Sequence, residues 1–230
     1  MVALLVLPVI AKEDAPGLDR GPLSKITFIH YKKNFAKPSD VGKPKPSACY
    51  GFLGKGVQWK ELPQSLFVNT TNDDGLSQAF ITGTLNTSEE TWNSAADIQL
   101  YSGYTVDNSA NWDDSAPDGR NETSFASYPN EGVIAVTNIW GYFGGPVQTR
   151  EIVEFDILFN NFYSWGDASD NPSLMDVQNI ATHEMGHGWG LDDIYNTSCS
   201  TVTMYGYSDY GEISKRDLDT ADITGIQSLY

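Results

Sequence analysis

Beyond residue 56 the apolar positions of the chain follow two periods, one of two residues and one of about 3.6. "SLFVNT" at 65–70, "DIQLYSGYTV" at 97–106, "GVIAVTNIWGYF" at 132–143 and "REIVEFDILFN" at 150–160 read as strands. In the last of these Ile152, Glu154 and Asp156 alternate with Val153, Phe155 and Ile157. Between them "DNSANWDDSAPDGRNETS", 107–124, reads as a long polar loop. Gly75 to Ala96 predicts an amphipathic helix, with Leu76, Ala79, Phe80, Trp92 and Ala95 on its apolar face and Gly83 weakening its middle. A second helix is predicted in "NPSLMDVQNIATHEMGHGWG", 171–190. Asn171 with Pro172, or Ser173, opens it, and Asp176 suits its positive first turn. Leu174, Val177, Ile180 and Ala181 supply its period, and Gly190 stops it. A third is predicted in "KRDLDTADITGIQSLY", 215–230, through Leu218, Ala221, Ile223, Ile226 and Leu229. Strands mixed with helices around one core predict an α/β domain.

The first 55 residues differ. "MVALLVLPVIA", 1–11, resembles the apolar part of an export signal, with Val9 and Ala11 placed for cleavage, although no basic stretch precedes it. Residues 12–55 form a basic N-terminal segment, and its "KPSDVGKPKPSA", 37–48, reads as a linker to a body at 56–230. Residues 1–60 hold ten of the 14 Lys and Arg and four of the 30 Asp and Glu, a net of +6, which leaves −22 on the remainder. So acidic a body repels phosphates and argues against nucleic acid. The basic segment can pack on that body, serve as a pro-segment, or remain a solvated arm. No apolar run is long enough to span a bilayer.

The chemistry gathers in "HEMGHGWGLDD", 183–193. Residues four apart share a helix face, so His183 and His187 aim two imidazoles at one point, the separation a tetrahedral zinc requires. Glu184 is turned aside, within reach of a water on the metal. Gly190 lets the chain turn back, and Asp193, three residues later, can supply a third ligand. Asp192 is its rival. The chain has three histidines, and the third, His30, reads as a surface or strand residue.

This pattern resembles the metzincin metallopeptidases, and within them the matrixin-like group, whose motif is H-E-x-x-H-x-x-G-x-x-H followed by a methionine turn. Here Asp193 stands where most members carry His. "STVTMYGYS" resembles the methionine turn, which places Met204 beneath the metal. "DITGIQSLY" resembles the closing helix and "EFDILFN" an upstream strand. The likeness is sharp over 173–230, loose over 56–172 and absent before. It implies a metzincin-type zincin domain: a twisted mixed sheet, an active-site helix, the methionine turn and a C-terminal helix. It further implies a secreted, zinc-dependent endopeptidase acting on peptide or protein substrates, with Glu184 as general base. A metal-binding recognition or adhesion module of the same fold without turnover is the alternative. Because a carboxylate cancels one unit of the metal's charge, Asp193 predicts activity toward more alkaline pH than in three-His relatives. "NIWGYFGG", 138–145, could be a sheet edge to which substrate adds, or ordinary core. Where astacin-like metzincins add a tyrosine this chain has Gly206, so no tyrosine is assigned.

Cys49 and Cys199 can form a disulfide tying the N-terminal segment to the loop before Met204. Matrixins use a pro-segment cysteine as a zinc-blocking switch, and Cys49, without that family's surrounding motif, is an alternative of that kind. Two free thiols are the third option. Calcium could sit among the acidic residues of "NDDG", "NWDDSAPDG" or "WGDASDN", which solvation explains equally well.

Overall fold

A computed structural model describes residues 20–35 and 49–230. The signal-like residues 1–11 and the linker 37–48 lie outside the described residues. Nine strands and three α-helices follow in chain order: β1 Ser24–Lys32, β2 Gln64–Val68, α1 Gln78–Ala96, β3 Tyr101–Val106, β4 Glu122–Ala126, β5 Val133–Tyr142, β6 Glu151–Asn160, β7 Trp165–Gly166, β8 Met175–Asp176, α2 Val177–Gly188, β9 Tyr207–Ser208 and α3 Thr220–Leu229. Seven of the strands form one mixed sheet in the order β3-β2-β4-β6-β5-β1-β9, and β7 pairs with β8. From β3 to β6 the neighbours are parallel. β5 then runs antiparallel to β6. This is the mixed sheet with an active-site helix and a closing helix that the sequence implied.

The sequence reading has no counterpart for β1, β7, β8 and β9, and α3 starts at Thr220 instead of near Lys215. Three further details differ. β4 begins inside the stretch 107–124 read as loop. Its five residues are too polar to show alternation, and Glu122, Thr123 and Ser124 are buried only because β2, β6 and the preceding loop surround them. Helix α1 starts at Gln78, because the Ser77 side chain accepts from Phe80 N and Gly75 turns with φ +71°. Helix α2 starts at Val177, because Asp176 is its N-cap, accepting from Asn179 N, instead of a first-turn residue. Arg216 donates to both oxygens of that same carboxylate, so the start of α2 is held from a second segment.

The apolar face of the sheet packs on α1 and α2. Indole N–H groups tie these layers together. Trp92 donates to Thr182 O at 2.8 Å, Trp59 to Gly188 O at 2.9 Å, and Trp189 to Glu89 Oε2 at 3.0 Å. A disulfide joins Cys49 to Cys199, and no described cysteine is free. No described helix is long and apolar enough to cross a membrane.

Candidate metal centre

Helix α2 is buried along nearly its whole length, and His183 and His187 lie one turn apart on it. Past the helix Gly190, at φ +106°, reverses the chain, and a Cβ there would collide with Leu229. The return brings Asp193 to the two imidazoles. Its Oδ1 lies 3.3 Å from His183 Nε2 and 3.6 Å from His187 Nε2. The two Nε2 atoms are 3.2 Å apart. Asp192 is used elsewhere: its backbone N donates to Gly51 O, and its Oδ1 accepts from Asp193 N.

The outer nitrogens settle the tautomers. His183 Nδ1 faces Thr203 O at 2.7 Å and His187 Nδ1 faces Leu191 O at 2.9 Å. A carbonyl only accepts, so each Nδ1 carries the hydrogen and each Nε2 turns a lone pair inward. Asp193 Oδ1 is buried and accepts no hydrogen bond. Three electron-rich atoms therefore converge, an arrangement that a cation or a shared proton would stabilise. A tetrahedral ion about 2.0–2.1 Å from each imidazole nitrogen requires ligand atoms about 3.3 Å apart, close to the distances found. The donor set fits zinc.

Electrostatics tell the same story. Burial pushes His183 down to about 3. Burial also opposes charge on Asp193, but the facing imidazoles outweigh it and hold the carboxyl well below its usual range. For His187 burial likewise opposes charge, yet the Asp193 carboxylate wins and draws the pKa upward. The carboxylate that favours a proton on His187 would equally favour a metal cation beside it.

Second contacts orient the three groups. Tyr195 donates its hydroxyl to Asp193 Oδ2 at 2.8 Å. Asp222 of α3 accepts from Thr203 N at 2.7 Å and Met204 N at 3.2 Å, which fixes the carbonyl that His183 uses. Met204 is fully buried, with its sulfur against Gly186, where any Cβ would collide with it.

Glu184 faces the other side of the centre. Its Oε2 accepts from Thr137 Oγ1 at 2.6 Å and its Oε1 lies 2.9 Å from His30 Nδ1. Burial raises it to about 7. His30 Nε2 lies 3.0 Å from Lys215 Nζ, which also donates to Tyr205 O. Because an ammonium only donates, Nε2 of His30 accepts and Nδ1–H donates to Glu184. Burial, with His183 and Lys215 nearby, keeps His30 neutral, and burial lowers Lys215 to about 7.

The structure thus gathers His183, His187, Asp193 and Glu184, with Met204 behind them. Sequence reasoning missed Thr137, Tyr195 and Lys215, and left His30 as a surface or strand residue. It is a strand residue, buried against the centre. The scarcity of histidine in the chain was the one signal that could have singled it out. Of the three loops considered for calcium, "NWDDSAPDG" brings Asp113 to Glu154 and Asp156, and their ligand atoms lie within 4.8 Å of one another. In "WGDASDN", Asp167 pairs with Arg216 at 2.5 Å.

Residues 125–230 match the family model for matrixins, a zinc metallopeptidase-type domain. The match runs from the end of β4 through α3 and so includes all of the convergent centre except His30. No curated protein matches the chain.

Proposed function

We propose that the chain is a secreted zinc-dependent endopeptidase in which His183, His187 and Asp193 hold the cation and Glu184 is the general base. One observation carries this reading: two inward imidazole lone pairs and a buried carboxylate oxygen without a hydrogen bond converge beside a fourth, basic side chain. A zinc ion held there would polarise a peptide carbonyl and acidify water. Glu184 then takes a proton from water and returns it to the leaving amine. Its elevated pKa suits both steps near neutral pH. Thr137 holds the second carboxylate oxygen, so Oε1 is the one presented to the reaction. The disulfide is compatible with an oxidising, extracellular setting.

The contact of His30 with Glu184 favours a second reading, in which the centre binds metal without turnover. Metal analysis and casein-type hydrolysis, with wild type beside Glu184→Ala, separate the two. The peptidase reading expects one zinc per chain in both and hydrolysis lowered by about 10²–10⁴-fold in the variant. Zinc in both with no hydrolysis from either supports the silent module. Absence of zinc from both rejects the metal centre.

A further inference from the structure

Four Asn-x-Ser/Thr motifs, at Asn69, Asn86, Asn121 and Asn196, have no part in holding the metal. Such a motif marks an asparagine that can carry an N-linked sugar on the surface of an exported protein, and it pairs the acceptor amide with a hydroxyl two residues on. The fold treats the four very differently.

Asn121 is 6% exposed and its carboxamide is built into the sheet. Its Nδ2 donates to Ser65 O at 3.1 Å and its Oδ1 accepts from Phe155 N at 3.0 Å. Thr123, which supplies the hydroxyl, is buried as well. A sugar on that nitrogen would part β4 from its neighbours. Asn69 uses both amide hydrogens, on Asn108 O at 3.0 Å and Ala110 O at 2.9 Å. A glycosylated nitrogen keeps only one hydrogen, so one of these bonds would be lost. Asn86 lies on α1, where residues two apart point to nearly opposite sides. Its hydroxyl partner, Ser88, is fully buried and donates to Thr84 O at 3.2 Å.

Asn196 is the exception. Its Oδ1 accepts from Ser198 N at 3.1 Å, and its Nδ2 has no partner among the described residues. Thr197 and Ser198 are exposed. The chain on either side is held fast. Ile194 N donates to Met204 O at 2.8 Å and Gly206 N to Ile194 O at 3.0 Å. Cys199 N donates to Asn196 O at 2.8 Å, and Cys199 is bonded to Cys49. The acceptor therefore stands on a fixed surface turn with its amide nitrogen unused.

We infer that Asn196 is the site of an N-linked oligosaccharide and that the other three asparagines stay bare. In the transfer a bond forms between Nδ2 and C1 of the sugar, and the C1–O bond to a lipid diphosphate breaks. The diphosphate leaves with the electron pair, and a base of the transferase takes the amide proton. The donor, a lipid-linked oligosaccharide, meets only chains on the export route. The inference thus rests on the export part of the proposed function and not on peptidase activity. A bulky, hydrated sugar shields the turn between the ligand Asp193 and the disulfide.

The test expresses the full chain in a eukaryotic host that glycosylates exported proteins, once with its own N-terminus and once behind an added secretion leader. The secreted protein is checked for its disulfide by thiol titration. It is then digested and mapped by mass spectrometry, before and after a peptide N-glycosidase. The expected result is sugar on the peptide holding Asn196, deamidated at that position on release, and none on the peptides holding Asn69, Asn86 and Asn121. Asn196→Gln and, separately, Ser198→Ala should each abolish the modification, whereas Ser198→Thr should keep it. The wild-type map stands whether or not these variants fold. Bare Asn196 in the folded, secreted chain behind the added leader overturns the inference, and so does sugar on any of the other three. Sugar at Asn196 only behind the added leader keeps the site and rejects export by residues 1–11.

Discussion

Tyr195 has no part in any motif, yet its hydroxyl donates to Asp193 Oδ2. A carboxylate can swing about its own bond, and this hydrogen bond aims Oδ1 inward. Tyr195→Phe should lower zinc affinity about 10–100-fold with little change in folding, as read by competition with a chromogenic chelator. Gly186 is a second residue whose identity is forced by its neighbours. A Cβ would meet both Met204 and Trp92, so Gly186→Ala should lower stability by about 1–3 kcal/mol in urea denaturation. Neither effect can be read from residue type: a tyrosine two residues past a ligand, and a glycine inside a helix, each have many commoner explanations.

Between β6 and the loop before β4, elements that look unremarkable in sequence make an unusual environment. Glu154 and Asp156 are buried, and both oxygens of Asp156 are without hydrogen-bond partners. Burial, with Glu154 and Asp113 adding to it, raises Asp156 to about 9, and burial raises Glu154 to about 7. The folded state therefore binds these protons more tightly than the unfolded chain does. The contribution to stability is complete below the unfolded carboxyl pKa of about 4 and is lost as pH rises through about 7 to 9. In chelator-treated protein, the urea midpoint should fall between pH 5 and pH 9. Asp156→Asn, neutral throughout, should flatten that fall and be the more stable form at pH 9. The alternation of strand β6 was legible, but the burial of its acidic side was not, because the cover comes from residues about forty positions earlier. The helices were legible in their periods. Their starts were displaced by two competing caps, Ser77 and Asp176, whose side chains accept the first free N–H groups.

Across the whole molecule the two halves of the charge asymmetry meet: Arg20, Lys25, Lys32 and Lys33 of the basic segment are paired with acids of the body. The disulfide spans 150 residues and fastens Cys49, within that segment, to the loop before Met204. Its removal by the double change Cys49→Ser and Cys199→Ser should cost about 2–4 kcal/mol, measured as the shift in denaturant unfolding under oxidising conditions. Equal midpoints in variant and wild type would show that the loop is held by packing alone. Loss of this tie should also loosen the 194–204 segment, visible as faster amide exchange there while α1 stays protected.

The sequence by itself determined the α/β class, the places of the helices and of β2, β3, β5 and β6, and a constellation at His183, Glu184, His187 and Asp193 whose spacing has a mechanical meaning. These are local properties: period, cap and turn act within a few residues, and two ligands on one helix are fixed by its pitch. Only the tertiary structure decided that Asp193 and not Asp192 turns inward, that Thr203 and Leu191 orient the imidazoles, and that Asp222 holds the loop behind His183. It alone brought His30 and Thr137 to Glu184, and Lys215 to His30. Those contacts join residues up to 185 positions apart. Their pairing depends on sheet order and strand register, which the pattern along a single chain does not encode.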